Sequence, residues 1–209
     1  MITINKLLKK YNNKTILNIE NFIIKSGINL IIGKNGAGKT TFSKIIVGLI
    51  PFEGEIIIKN INIKKDFKIH RSIVGFSEAE PFFPDYVSGE SIVNLHIELK
   101  GGNLSEVKRI INILDMKSFV HNNIGTYSSG MKKKLGLLLA FIGNNELIVL
   151  DEPFTLIDEV ARKEVLSLIS HYNKKGVNFI ISSHQNRREL ENVITSSFEI
   201  KNSNIIKES

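Results

Sequence analysis

Apolar positions along this 209-residue chain recur with two periods, and the chain switches between them several times. Ile16–Ile24 alternates apolar and polar residues, the pattern of a strand with one buried face. Ile28–Ile32 is a continuous apolar run, as in a strand covered on both faces of a parallel sheet. Lys39–Ile50 carries Phe42, Ile45, Ile46 and Leu49 at helical spacing, and Pro51 predicts its stop. Glu55–Ile63 reads as a hairpin turning near Lys59–Asn60, and Ile73–Phe76 as another short buried strand. From Ser88 to about Ile142 the pattern is helical. One helix runs through Ile92, Leu95, Ile97 and Leu99 and ends at Gly101–Gly102. A second, Leu104–Leu114, starts near Ser105 and puts Val107, Ile110, Ile111 and Leu114 on one face; a third spans Ser129–Phe141. Strand then alternates with helix again, at Glu146–Leu150, Glu159–Tyr172, Val177–Ser182, Gln185–Val193 and Phe198–Lys201. That alternation predicts an α/β fold, a parallel sheet with helices on its faces. The expectation is one domain over residues 1–209, with a helical insertion.

Composition narrows this picture. With 42% hydrophobic and 23% charged residues the chain is globular rather than disordered or repetitive. It has no cysteine, which excludes disulfides and thiolate metal sites. Lys plus Arg number 28 against 21 Asp plus Glu, a net charge of +7. The lysines are scattered as Lys9–Lys10, Lys64–Lys65, Lys132–Lys134 and Lys174–Lys175, without interleaved aromatics, so no nucleic-acid partner is expected. Met1–Lys10 has no leader-like apolar segment, and the longest apolar stretch, near Leu135–Ile142, is short of a bilayer span. A soluble chain is expected.

Chemistry enters at the turn after Ile32. Gly33-Lys34-Asn35-Gly36-Ala37-Gly38-Lys39-Thr40 fits G-x-x-x-x-G-K-[ST], between a buried strand and an amphipathic helix. Glycines let successive N–H groups curl around a phosphate, and the helix N-terminus adds partial positive charge. Gly33, Asn35, Gly36, Gly38 and Thr41 are thus expected to bind a nucleotide. Lys39 would reach its β- and γ-phosphates, and Thr40 would ligate Mg²⁺. The apolar run before Asp151-Glu152-Pro153 ends in two carboxylates at the carboxyl end of a strand, where α/β sheets bind ligands. Asp151 is expected to hold Mg²⁺ and Glu152 to orient or deprotonate the attacking water, unless the pair is an acidic loop after a core strand.

At this point the chain resembles the ATP-binding subunit of an ABC transporter. Tyr127-Ser128-Ser129-Gly130-Met131 is similar to the family's LSGGQ signature, with Ser128 and Gly130 matching. Thr155-Leu156-Ile157-Asp158 resembles its D-loop, and Ser182-Ser183-His184 the switch that contacts the γ-phosphate. Tyr11 lies where the family often stacks an aromatic on adenine, or is a surface tyrosine in an N-terminal hairpin. The family's Gln after Ile73–Phe76 is missing; Glu78 is the expected surrogate metal ligand, with Glu80 behind it. His70, His96, His121 and His171 match nothing and read as surface or packing residues.

The resemblance runs from about Leu7 to Lys207 and implies a P-loop NTPase fold: a RecA-like parallel sheet with flanking helices, an N-terminal antiparallel β subdomain and a helical insertion carrying the signature. The ATP-binding core with its β subdomain would be residues 1–78 and 143–209, and the helical subdomain about 79–142. It implies catalytic roles for Glu152, His184 and Lys39, with Ser128, Gly130 and Asp158 serving the nucleotide. Two subunits would dimerise head-to-tail on MgATP at the inner face of the membrane and drive a separate transmembrane permease. Phe82, Phe83 and Tyr86 would form a socket for a permease helix or pack the insertion on the core. The divergent signature, and a chain end soon after the last strand, lean towards export. The alternatives are a soluble ABC-type ATPase not linked to transport, in cofactor assembly or associated with nucleic acid or ribosomes, or a module that binds ATP without hydrolysing it.

Overall fold

A computed structural model describes residues 1–183 and 190–208. Two sheets organise it. The first is antiparallel, made of β1 (Ile2–Tyr11), β2 (Lys14–Ile24), β4 (Glu53–Ile58) and β5 (Ile61–Asn62) in the order β2-β1-β4-β5. The second contains β3 (Ile28–Ile32), β6 (Val74–Ser77), β7 (Leu147–Asp151), β8 (Asn178–Ser182), β9 (Ser196–Lys201) and β10 (Asn204–Lys207). Its order is β10-β9-β3-β8-β7-β6, parallel throughout except that β10 runs antiparallel to β9.

The continuous apolar runs do what their composition requires: successive side chains point to opposite faces, and both faces are covered. In β7, Ile148 and Leu150 enter one core while Leu147 and Val149 enter the other. In β8, Phe179 and Ile181 face the first core and Ile180 the second. The first core is closed by α3 (Gly89–Lys100), α4 (Leu104–Ile113), α5 (Ser129–Phe141) and α6 (Glu159–Lys174). The second is closed by α1 (Lys39–Ile46) and the antiparallel sheet.

Most expected elements are present, with shifts that have physical reasons. Helix α1 stops at Ile46 rather than at Pro51, because Gly48 takes φ +75° and breaks the helical path; Leu49 is left 51% exposed instead of in the buried stripe. The hairpin turns at Lys59–Asn60, where both residues have positive φ, 47° and 71°, as a two-residue hairpin turn requires. Helix α4 is capped by Asn103, whose carboxamide oxygen accepts the N–H of Ser105 and of Glu106; Ser105 is already inside the helix. A helix absent from the sequence pattern, α2 (Phe67–Ile73), precedes β6. The helix expected at Gln185–Val193 falls mainly on residues outside those described.

Candidate functional site

Six residues, Gly33 to Gly38, lead from the carboxyl end of β3 into α1, and their glycines make that turn possible. Gly33 (φ +156°) passes so close to β9 that a Cβ there would lie 2.7 Å from the Ile200 carbonyl oxygen. Gly38, at φ +108°, is the N-cap of α1 and offers no side chain to the helix, so the first N–H groups of α1 are left for an anion. Lys39, 8% exposed, folds back over the loop and donates to the carbonyls of Gly33 at 2.8 Å and Lys34 at 3.4 Å. Its ammonium is also 4.0 Å from the Glu152 carboxylate.

That carboxylate arrives from β7, whose five residues are all buried. Asp151, fully buried, accepts a hydrogen bond from the Ser182 hydroxyl on one carboxylate oxygen. The other, Oδ2, has no hydrogen-bond partner among the described residues. Glu152 follows in the left-handed region (φ +45°), a conformation costing a non-glycine residue about 1–3 kcal/mol. It is held there by its N–H, which donates to the Ser182 carbonyl at 3.1 Å and lies 3.2 Å from its hydroxyl oxygen, and by Thr155, whose hydroxyl donates to the Glu152 carbonyl at 2.8 Å.

A cleft of about 470 Å³ opens between these parts. Of the residues expected from the sequence, Asn35, Gly36, Gly38, Lys39, Thr40, Thr41 and Glu152 line it. Thr155 and Leu156, from the segment that resembles the D-loop, line it too, as do Ile16 and Ala79, whose residue types gave no signal. The two acids expected in the loop after β6 part company. Glu80 lines the cleft, whereas the Glu78 carboxylate turns away to the Lys44 ammonium, 3.2 Å distant on α1. The pull of Lys44 is available because Glu78 immediately follows β6, beside the exposed side of α1.

Other expected residues stand outside the cleft lining. Tyr11 is half-exposed at the end of β1, with the Lys9 ammonium 4.7 Å above its ring centre. Ser128 caps α5 by accepting the Met131 N–H at 3.2 Å. Gly130 packs so closely against the next loop that a Cβ would meet the Leu156 carbonyl oxygen at 2.7 Å. Tyr127, in place of the family's Leu, is buried and donates its hydroxyl to the Phe119 carbonyl. Asp158 caps α6, and the Ala161 N–H it accepts holds its carboxyl below the usual carboxylate range. Of the loop aromatics, Phe82 is 90% and Tyr86 83% exposed, while Phe83 packs against the first core. His184 lies outside the described residues.

One residue that the sequence reading passed over is Lys133. It is fully buried in α5, and burial pulls its ammonium down to about 8 against the opposing attraction of Asp151, Glu152, Glu78 and Glu80. A lysine in a surface-looking run of three gave no sign of this.

Comparison with known proteins agrees with the geometry. The family model for the ABC transporter matches residues 17–155. The lantibiotic transport ATP-binding protein SrtF of Streptococcus pyogenes is 30% identical over 187 residues, covering 88% of this chain and 80% of that one. The bacitracin transport ATP-binding protein BcrA of Enterococcus faecalis is 32% identical over 190 residues, covering 88% and 61% respectively. A solved ATP-binding cassette, described as a dimer in a post-hydrolysis state with ADP and Pi, shares the fold with a TM-score of 0.84 at 20% identity, over 100% of this chain and 98% of that one. The chain belongs to the ABC transporter family and is one of its ATP-binding, ATP-hydrolysing subunits.

Proposed function

We propose that the cleft holds MgATP between Lys39 and Glu152, that a second cassette closes over it, and that the cycle drives a separate transmembrane permease. The observation that carries this reading is Asp151 Oδ2, a fully buried carboxylate oxygen without a hydrogen-bond partner among the described residues. An orphaned buried acceptor costs about 1–3 kcal/mol, more when charged, and a cation satisfies it. Thr40, on the cleft wall, and Asp151 would hold Mg²⁺; Glu78, paired with Lys44, would not. Bound there, the ion would neutralise charge on the β- and γ-phosphates.

The side chains divide the remaining work. Lys39 exchanges its two carbonyl acceptors for phosphate oxygens, helped by the uncapped N–H groups of α1. Glu152 faces the γ-phosphate end of the cleft and accepts the proton of the water that attacks phosphorus, while ADP takes the bond electrons. The Lys39 ammonium lies 4.0 Å from that carboxylate. His184 would hydrogen-bond the γ-phosphate.

Ser128, Gly130 and Asp158 do not line the cleft of their own chain, which suits residues that complete the site of a second copy. Phe82 and Tyr86, exposed on the loop that leads from the cleft, offer apolar area to a permease helix. Relatives named for transport of a lantibiotic and of bacitracin support an antimicrobial-peptide export or immunity role at the inner face of the cell membrane.

Glu152→Gln tests the chemistry: turnover should fall about 10²-fold or more while ATP still binds, and turnover at the parental rate would remove Glu152 from the mechanism. Pull-down from detergent-solubilised membranes tests the partner. A polytopic protein recovered near equal stoichiometry is expected; recovery only with soluble assemblies would contradict it. Phe82→Ala with Tyr86→Ala should weaken that recovery, and unchanged recovery would end the socket idea.

A further inference from the structure

Strands β6 and β7 pair from Val74–Leu147 to Ser77–Leu150, and past that point they part. β7 turns into Glu152, while the loop after Ser77 runs along the cleft as Ala79 and Glu80. Where two strands part, buried carbonyls lose the donors that the ladder supplied and must find others. Here a single side chain serves three of them. Lys133, 0% exposed, donates to the carbonyls of Glu78 at 2.7 Å, Ala79 at 3.1 Å and Asp151 at 3.0 Å. An ammonium has three N–H groups and no acceptor, so the three carbonyls use all of it.

The same face of α5 is pressed onto the loop one turn further on. A Cβ at Gly136 would lie 2.9 Å from Pro81 and 3.3 Å from the Ser77 hydroxyl oxygen. The loop is therefore fixed to α5 at two successive turns. Ser128, the serine of the signature segment that would meet the opposing nucleotide, caps this same helix, roughly 7 Å along its axis from Lys133.

We propose that Lys133 is a positioning residue of the ATPase, tying the Ala79–Glu80 wall of the cleft and the Asp151–Glu152 corner to helix α5. A shift of α5 as its N-terminus closes on the opposing nucleotide then moves the wall and the corner together. This inference rests on the two-cassette reading above. Lys133 touches no nucleotide, and its action is through backbone carbonyls.

A half-buried lysine provides the control for a merely structural role. Lys100, at the end of α3, donates to the Val74 carbonyl at 2.5 Å and to the Asn145 side chain at 3.0 Å, at the opposite end of β6 and β7. The test measures melting temperature, Kd for a fluorescent ATP analogue and kcat for ATP in Lys133→Met, Lys133→Gln, Lys133→Arg and Lys100→Met. Lys133→Met should lose roughly 10- to 100-fold in kcat with Kd within about threefold, because sub-ångström placement of a catalytic corner is what kcat reads. Lys133→Arg and Lys133→Gln, which keep donors, should recover part of it. Lys100→Met should lose stability and keep kcat within about twofold of the parent. If Lys133→Met does not fold, Lys133→Gln carries the comparison with Lys100→Met. The proposal is overturned if the folded Lys133 variants turn over at the parental rate, or if kcat falls in both lysine sites in step with melting temperature. A parental chain that binds ATP without turning it over would instead overturn the ATPase reading on which the proposal stands.

Discussion

Single residues divide into those whose chemistry announces them and those whose role comes from a neighbour. The Gly33–Thr40 loop was legible because each residue type is needed locally: glycine for positive φ, lysine for charge, threonine for a hydroxyl. At Gly38, with φ +108° and with Ile16 and Leu17 side chains 3.1 and 3.3 Å from where a Cβ would stand, Gly38→Ala should cost about 1–2 kcal/mol. A thermal melt would read this as a drop of several degrees, and an unchanged melt would contradict it. Glu78 and Glu80 show the opposite case. Both are carboxylates two residues apart, yet Glu78 pairs with Lys44 and has its carbonyl held by Lys133, while Glu80 lines the cleft. Ile16 was illegible for a simpler reason, since an apolar residue lining a cleft looks like any other apolar residue.

Elements were legible where periodicity is clean and hidden where something interrupts it. β1 was missed as a strand because Lys6, at φ +52°, and a register shift between Lys9 and Lys10 break its alternation. α2 was missed because its pattern is inverted: Phe67 and Ile69 are more than half exposed, while His70 is its buried residue. Between elements, polar contacts that no periodicity records join α4 to α6. Glu106 on α4 makes a paired contact with Arg109 and accepts the Tyr172 hydroxyl of α6 at 2.9 Å. Those bonds, Arg109 first, hold its carboxyl down to about 2 from an ordinary value near 4.5. A carboxylate lowered by folding stabilises above its unfolded pKa, and that stability is lost as pH falls through the window from about 4.5 to about 2. Glu106→Gln should therefore flatten the acid limb of the stability curve in that window, and an unchanged limb would show that Glu106 does not link the helices. Tyr172→Phe should cost about 1 kcal/mol at neutral pH, measured by denaturant unfolding.

At the scale of the whole molecule, α/β class and sheet placement followed from the switch between periods, because strands buried on both faces cannot alternate and amphipathic helices must cover them. What one chain cannot show is the closed site. Its cleft gathers the phosphate loop and Glu152, whereas Ser128 and Asp158 serve as caps of α5 and α6 outside the cleft lining. The account thus requires two chains for one competent site, and Glu152→Gln should accumulate as an ATP-dependent dimer on a sizing column where the parent returns to monomer. The central claim is tested most directly by the rate of MgATP hydrolysis per chain, measured across protein concentration. The account predicts a specific rate that rises with concentration to a plateau as dimers form. A specific rate that stays constant down to concentrations where the chain is monomeric would contradict it.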